Sequence, residues 1–407
     1  MVLVYNLLIK LYCLAIVVAS WRSEKAREWR NGRKNLLEDL KRSLDPDRPV
    51  IWFHCASLGE FEQGRPVMES FKDNHPNWQL VVTFFSPSGY LVRKDYQYAD
   101  HVCYLPLDSK KNAIAFLDVL NPEKVVFVKY EFWYHFIKEI KKRGISLYVV
   151  SAIFRKKQVF FKSWGGWYRN MLKSFDTLFV QNKKSAELLK SVGIENVIVA
   201  GDTRFDRVAQ IVNNSKELKV INSFVSNSRV LIAGSSWPQD EELIVRYCKK
   251  HPDLKVIFAP HETNEKHIQQ LVTALDGDCV RYSEIDEDSV IATNVLIVDI
   301  IGILSSVYRY GHVAYIGGGF GVGIHNILEA ATYGMPVVFG PNYHKFKEAR
   351  DLVALKGAFP IENYHDIKQA FNQLLGDENE CRRAGEIAAK FVADHVGATD
   401  KIVSEIS

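Results

Sequence analysis

The chain has no short-period repeat, no low-complexity tract and no pair of cysteines at metal-binding spacing. Its six cysteines, at 13, 55, 103, 248, 279 and 381, are scattered, with no C-x-x-C and no histidine at a ligand interval. That excludes a zinc signature and reads as reduced, mostly buried thiols in a reducing compartment. No G-x-x-x-x-G-K-[ST] occurs, so a P-loop is not expected. Charge of one sign is also lacking: 52 basic and 48 acidic residues leave a net +4. So small an excess disfavours a nucleic-acid partner. Neither a metal nor a cofactor is expected from these patterns.

What is present is an ordinary globular composition, 47% hydrophobic and 25% charged. At 407 residues the chain is long enough for two domains of about 200 each. From Val50 onward, short β-branched runs alternate with segments of helical period. Strands are expected at 50–54, 80–85, 101–104, 124–128, 146–150, 177–180 and 197–200. After a polar stretch rich in Asn, Ser and Lys, the rhythm restarts at 230–233, 255–259, 295–298, 313–316 and 336–339. Continuous apolar strands between helices argue parallel, doubly wound sheets. The expected organisation is a membrane anchor at 1–21, a Rossmann-like domain at 22–211 and a linker at 212–228. A second Rossmann-like domain at 229–390 and a C-terminal helix at 391–407 complete it, with the ligand cleft between the two domains.

Residues 2–19 are mostly apolar and are followed, not preceded, by Arg22, Lys25, Arg27 and Arg30. A cleaved signal peptide has the opposite order. Basic residues after the apolar run favour a cytoplasmic body. We read a single N-terminal anchor, inserted or lying in the interface, with a buried first helix as the alternative.

Four stretches carry chemistry. Cys55-Ala-Ser-Leu-Gly-Glu60 follows a strand and opens a helix. Its turn brings a ligand near the backbone, and Glu60 is a candidate to take a proton from a sugar hydroxyl. Ser57 and Gly59 are candidate substrate contacts, and the bland alternative for Glu60 is a helix N-terminal acid. The second stretch runs from the strand at 313–316 through a glycine run into His325-Asn326-Ile327-Leu328-Glu329. Glycine amides and a helix start near Asn326 suit phosphate, and Glu329 suits ribose hydroxyls. An ordinary capping box is compatible with that. As a dinucleotide fingerprint the run is weak. In the third, Gly340–Arg350, Lys345 sits in a loop suited to a sugar acid or phosphate. In the fourth, Arg204 of Gly201-Asp-Thr-Arg-Phe-Asp206 either contacts an anion or pairs locally with Asp206. Glu131 is a second carboxylate, either supporting the site or capping a helix. Basic and aromatic residues interleave across 155–169, which suits a phosphorylated glycolipid at a membrane or single-stranded nucleic acid, with a partly buried amphipathic segment as the bland alternative.

Together with Ser86-Pro-Ser-Gly-Tyr90 and Lys129-Tyr-Glu-Phe-Trp133, these motifs make the chain resemble the Kdo transferases through nearly its whole length. Those enzymes move 3-deoxy-manno-octulosonic acid (Kdo) from CMP-Kdo to a lipid A precursor. The resemblance implies a GT-B fold, an inverting mechanism without metal and an anchor in the inner membrane. It implies that the domain at 22–211 binds the acceptor and the domain at 229–390 the CMP-sugar. It places the catalytic base on Glu60. It places CMP contacts on Pro260-His261, on Gly302-Ile303-Leu304 and on Asn326, Ile327, Leu328 and Glu329. The family usually has Pro-Arg-His at 260–262 and Gly-Glu-Leu at 302–304. The missing arginine leaves His261, Ser235, Ser236 or Lys345 to serve the phosphate. The expected partners are therefore CMP-Kdo, the lipid A precursor (lipid IVA) and the inner membrane. Another GT-B nucleotide-sugar enzyme, such as a UDP-sugar transferase or epimerase, and an inactive glycolipid- or nucleotide-binding protein are the alternatives.

Overall fold

The computed structural model describes residues 1–215, 217–226, 228–285 and 293–407. The chain divides into two units, Met1–Arg207 with Val396–Ser407, and Val208–His395.

The first unit is built on seven parallel strands: β1 (Val50–Cys55), β2 (Gln79–Phe84), β3 (His101–Tyr104), β4 (Lys124–Val128), β5 (Ser146–Ala152), β6 (Thr177–Val180) and β7 (Val197–Val199). Their order is β3-β2-β1-β4-β5-β6-β7. Every residue of β1 and β2 is buried, as expected for strands covered by helices on both faces. Trp52, Phe116, Phe127 and Phe136 fill one face, and Phe53, Phe61, Phe71 and Phe84 the other. The C-terminal helix Ala398–Ile406 closes the second face with Ile402, Val403 and Ile406. Asp206 holds that helix start, accepting the N–H groups of Gly397 at 2.6 Å and Thr399 at 3.1 Å.

The second unit carries β8 (Val230–Ser236), β9 (Lys255–Pro260), β10 (Val280–Arg281), β11 (Val295–Ile297), β12 (Val313–Ile316), β13 (Val337–Phe339) and β14 (Ala358–Pro360). They form a second all-parallel sheet in the order β10-β11-β9-β8-β12-β13-β14. The two edge strands β10 and β14 have no counterpart in the sequence pattern. They are two and three residues long and only partly buried, so they show no apolar run. The polar stretch at 212–228 carries the end of helix Thr203–Asn214 and helix Lys219–Val225.

Helix Val2–Ala19 is long and apolar enough to cross a membrane by length and composition, and none of that span is buried. One side of it rests on the first unit. The Tyr5 hydroxyl donates to Asp108, Asn6 Oδ1 lies 2.6 Å from His135 Nε2, and Tyr12 packs on Trp29 and Phe85. Leu3, Leu7, Leu11, Leu14 and Val18 remain exposed.

Candidate active site

In the first sheet the chain works outward from β1 through β2 to β3, then returns to β4 on the other side of β1. The ends of β1 and β4 therefore border the crevice where ligands bind in open parallel sheets. The turn after β1 leads into helix Leu58–Asn74, with Glu60 in its first turn. The Ser57 hydroxyl donates to the Glu60 carboxylate. Gly59 is exposed, and a Cβ there would meet nothing closer than the Ser57 hydroxyl at 3.8 Å. Close packing therefore does not require the glycine, and the turn lies open. Buried Cys55 lies behind it, its thiol pushed well above the usual range by burial, then by Glu60 and Glu131. It stays protonated and is no nucleophile.

After β4, Lys129 adopts φ 65°, a left-handed conformation costing a non-glycine residue about 1–2 kcal/mol. Glu131 follows in the loop, not in a helix: the next helix starts at Tyr134, with Trp133 as its N-cap. The alternative of a helix-capping role for Glu131 therefore does not apply. Instead the Trp133 indole N–H forks between Glu131 Oε2 at 2.9 Å and His54 Nε2 at 3.0 Å. An indole N–H only donates, so Nε2 of His54 accepts and its proton sits on Nδ1. Nδ1 then reaches Thr83 Oγ1 at 2.8 Å, which also receives the Trp52 N–H at 2.7 Å. Half-buried Trp133, backed by the buried side chains of His54, Thr83 and Trp52, thus sets the Glu131 carboxylate.

Arg204 pairs with Asp202 at 2.7 Å, not with Asp206, whose carboxylate is taken by the C-terminal helix. Burial pulls the Lys129 ammonium below the usual lysine range, and the charges that reach it are Glu60, Arg204, Asp202 and Arg155. Glu60, Lys129 and the Asp202–Arg204 pair are accordingly neighbours. Across 155–169 the segment is mixed: Phe160 is buried and Arg169 holds the carbonyls of Phe160 and Lys162, whereas Trp164 is exposed.

The second sheet reverses direction between β8 and β12. Ser235, the last residue but one of β8, stands at φ 51°, where the pairing with β9 slips. Ser236 is committed inward, donating to Glu241 at 2.8 Å. Trp237 then opens helix Pro238–Cys248, its N–H on Asp240 Oδ2 at 3.0 Å. Asp240 also receives Gly318 N–H at 2.9 Å and the Tyr315 hydroxyl at 2.7 Å, although burial raises its pKa.

Three rings gather at the strand ends. Trp237 Nε1 donates to His325 Nε2 at 3.0 Å, the two rings 11° from coplanar. His261, exposed just past Pro260 at the end of β9, stacks on both, at 4.7 Å from Trp237 and 4.4 Å from His325. Burial, then His261, lowers the His325 pKa.

The glycine run packs backbone on backbone. A Cβ on Gly317 would stand 2.1 Å from the Ser235 carbonyl oxygen, and one on Gly319 2.6 Å from Gly340. The N–H groups of Gly317, Gly318, Gly321 and Gly323 bond within the unit. Helix Leu328–Thr332 begins two residues after Asn326, which accepts the Leu328 N–H at 3.1 Å and donates to Glu329 at 3.0 Å. Lys345 donates to the Val322 carbonyl and Asn342 to that of Gly321, so this loop clasps the run. Gly302 is exposed at φ 98° before helix Leu304–Val307, with Ile303 as N-cap.

Residues 28–207 match the family model described as 3-deoxy-D-manno-octulosonic-acid transferase (kdotransferase). Relatives named 3-deoxy-D-manno-octulosonic acid transferase extend the match. One, from Aquifex aeolicus (strain VF5), is 27% identical over 353 residues, 84% of this chain and 90% of the relative. Another, from Rickettsia felis (strain ATCC VR-1525 / URRWXCal2), is 28% identical over 373 residues, 88% of this chain and 79% of the relative.

Over residues 28–207 the chain carries the Kdo transferase family's domain, and relatives of that name match most of its length.

It is thereby a glycosyltransferase, and the GT-B architecture agrees. The UDP-GlcNAc 2-epimerase of Neisseria meningitidis shares that fold at a TM-score of 0.59 and 15% identity, over 88% of this chain and 99% of that one. The sequence pattern offers Lys129 only as part of the Lys129–Trp133 motif, with no role of its own, and does not offer Trp237. Trp237 looks like a core aromatic until the fold brings it to His325, 88 residues away. Lys129 looks like any lysine until its strained backbone places it beside Glu60.

Proposed function

We propose that this Kdo transferase moves Kdo from CMP-Kdo to the lipid A precursor lipid IVA, with Glu60 as general base. The observation that carries the reading is the carboxylate of Glu60, oriented by Ser57 at the crevice of the first sheet beside an open turn. A base there takes the proton from the acceptor hydroxyl. The acceptor oxygen then bonds to the anomeric carbon from the side opposite the phosphate. The bond from that carbon to the phosphate oxygen breaks, and its electron pair leaves with CMP. The configuration inverts, and the proton stays on Glu60 until water removes it.

Residues of the second unit serve the nucleotide. Pro260 ends β9, and His261, the Gly302-Ile303-Leu304 turn and the Asn326–Glu329 segment lie past the C-terminal ends of its strands. His261, fixed by two ring contacts, takes the place of the arginine usual in the family and donates to the departing phosphate. Ser235 remains a candidate donor. Ser236 and Lys345 already serve Glu241 and Val322, which argues against both.

Helix Val2–Ala19 holds the enzyme at the inner membrane, with both units on the cytoplasmic side. A helix fixed to the protein by Tyr5 and Asn6 along one side, with leucines exposed on the other, suits a position in the plane of the interface. The test is incubation of purified full-length protein with CMP-Kdo and a tetraacylated lipid A precursor, read by mass spectrometry. A product heavier by one or more Kdo residues is expected; transfer only from a UDP-sugar, or no transfer, overturns the reading.

A further inference from the structure

We propose that Lys129 binds the carboxylate of the donor sugar and so makes the enzyme selective for a sugar acid. The inference rests on the donor and base proposed above. In Kdo the carboxyl group is attached directly to the anomeric carbon. The attacking hydroxyl lies within hydrogen-bond reach of the base, about 2.6–3.2 Å, and approaches that carbon to about 3–3.5 Å. A carboxylate one bond away is therefore brought close to Glu60. Two carboxylates at that range repel unless a cation stands between them or beside both.

Lys129 meets that need. It follows β4, at the same crevice as the Glu60 turn. Its backbone is anchored by its N–H on the Val150 carbonyl at 2.9 Å and bent to φ 65°, which fixes where the side chain starts. Its environment is shaped by Glu60, Arg204, Asp202 and Arg155. Of the two other cations whose charge reaches it, Arg204 already lies on Asp202 at 2.7 Å and Arg155 is exposed to solvent. Among the described residues, no carboxylate lies within 4.0 Å of the Lys129 Nζ and no hydrogen bond engages it. A half-buried ammonium with no partner, next to a catalytic carboxylate, is suited to an anionic substrate group.

The experiment is steady-state kinetics of Lys129→Met and Lys129→Arg in the full-length enzyme, varying CMP-Kdo and the lipid acceptor separately. Met keeps the side-chain length and the same backbone strain. Ordinary binding of the carboxylate in both ground and transition states raises KM more than it lowers kcat. For Lys129→Met we expect the donor KM to rise roughly 10- to 100-fold, the size of a lost charge-assisted hydrogen bond. Acceptor KM stays within about twofold, and Lys129→Arg recovers most of the donor affinity. Binding of CMP alone, which lacks the carboxylate, is unchanged and shows that the variant is folded. A normal donor KM, a rise confined to the acceptor KM, or a loss in kcat alone overturns the inference. In the last case Lys129 serves only Glu60. A wild-type enzyme that fails to use CMP-Kdo sinks the parent reading instead, so the two failures are distinct.

Discussion

Trp237 donates its indole N–H to Nε2 of His325 at 3.0 Å, which fixes His325 as an acceptor with its proton on Nδ1. His261 is stacked over both rings. The arrangement makes His325 a neutral histidine by construction, in line with its lowered pKa.

That gives a prediction for pH. A histidine whose folded pKa lies below its unfolded value of about 6.5 favours the unfolded chain as protons become available. The penalty is absent well above that value and grows as pH falls through it towards the folded pKa. Thermal melts of the wild type lose stability between about pH 7 and 5.5, and His325→Gln flattens part of that slope. His101, His135 and His312 are shifted the same way by burial, so the slope is reduced and not abolished. An identical slope in the variant would remove His325 from the account.

Glu60→Gln removes the base while keeping the size and the contact with Ser57. Transfer falls by roughly 10²- to 10⁴-fold, the usual span for a general base. CMP affinity, measured by calorimetry, stays within about twofold, because no residue proposed for the nucleotide is altered. Turnover near the wild-type rate would mean that the base lies elsewhere.

Gly317→Ala tests the glycine run. The added Cβ meets the Ser235 carbonyl at 2.1 Å, and both partners are backbone, so neither can turn aside. Overpacking of this kind costs about 1–3 kcal/mol. Urea denaturation is the check; an unchanged midpoint contradicts backbone-on-backbone packing. Gly59→Ala, where the nearest atom is 3.8 Å away, leaves stability nearly unaltered and supplies the contrast.

Leu7→Asp combined with Leu14→Asp places charge on the exposed side of the first helix, away from Tyr5 and Asn6. Sedimentation with anionic phospholipid vesicles drops by roughly tenfold or more, since each buried leucine contributes about 1.5–3 kcal/mol. Deletion of residues 1–20 releases the protein altogether. Undiminished vesicle binding by either variant rules this helix out as the anchor.

Much of this was legible from residue order. Strands such as Lys124–Val128 and Thr177–Val180 fall on the apolar runs, because a strand covered on both faces needs a nearly continuous apolar run. The same is true of Glu60, whose turn and helix start are local. Residue order predicts a helix start near Asn326, but the helix starts at Leu328 and is five residues long. The same order leaves Glu131 either supporting the site or standing at a helix start, and the Trp133 indole N–H holds it in a loop. Such details depend on partners dozens of residues away, which a local pattern does not contain.

The amino-acid order alone determined the two parallel α/β halves, the apolar first helix and the carboxylate turn at Glu60. Each follows from periodicity or from neighbours within one turn. Only the tertiary structure decided that Arg204 belongs to Asp202, that Asp206 ties down the C-terminal helix, and that Lys129 keeps an unpaired ammonium beside Glu60. It also decided that Trp237 and His261 frame His325. Charges and rings choose partners by distance in space, and parallel crossovers bring together strand ends that are far apart along the chain.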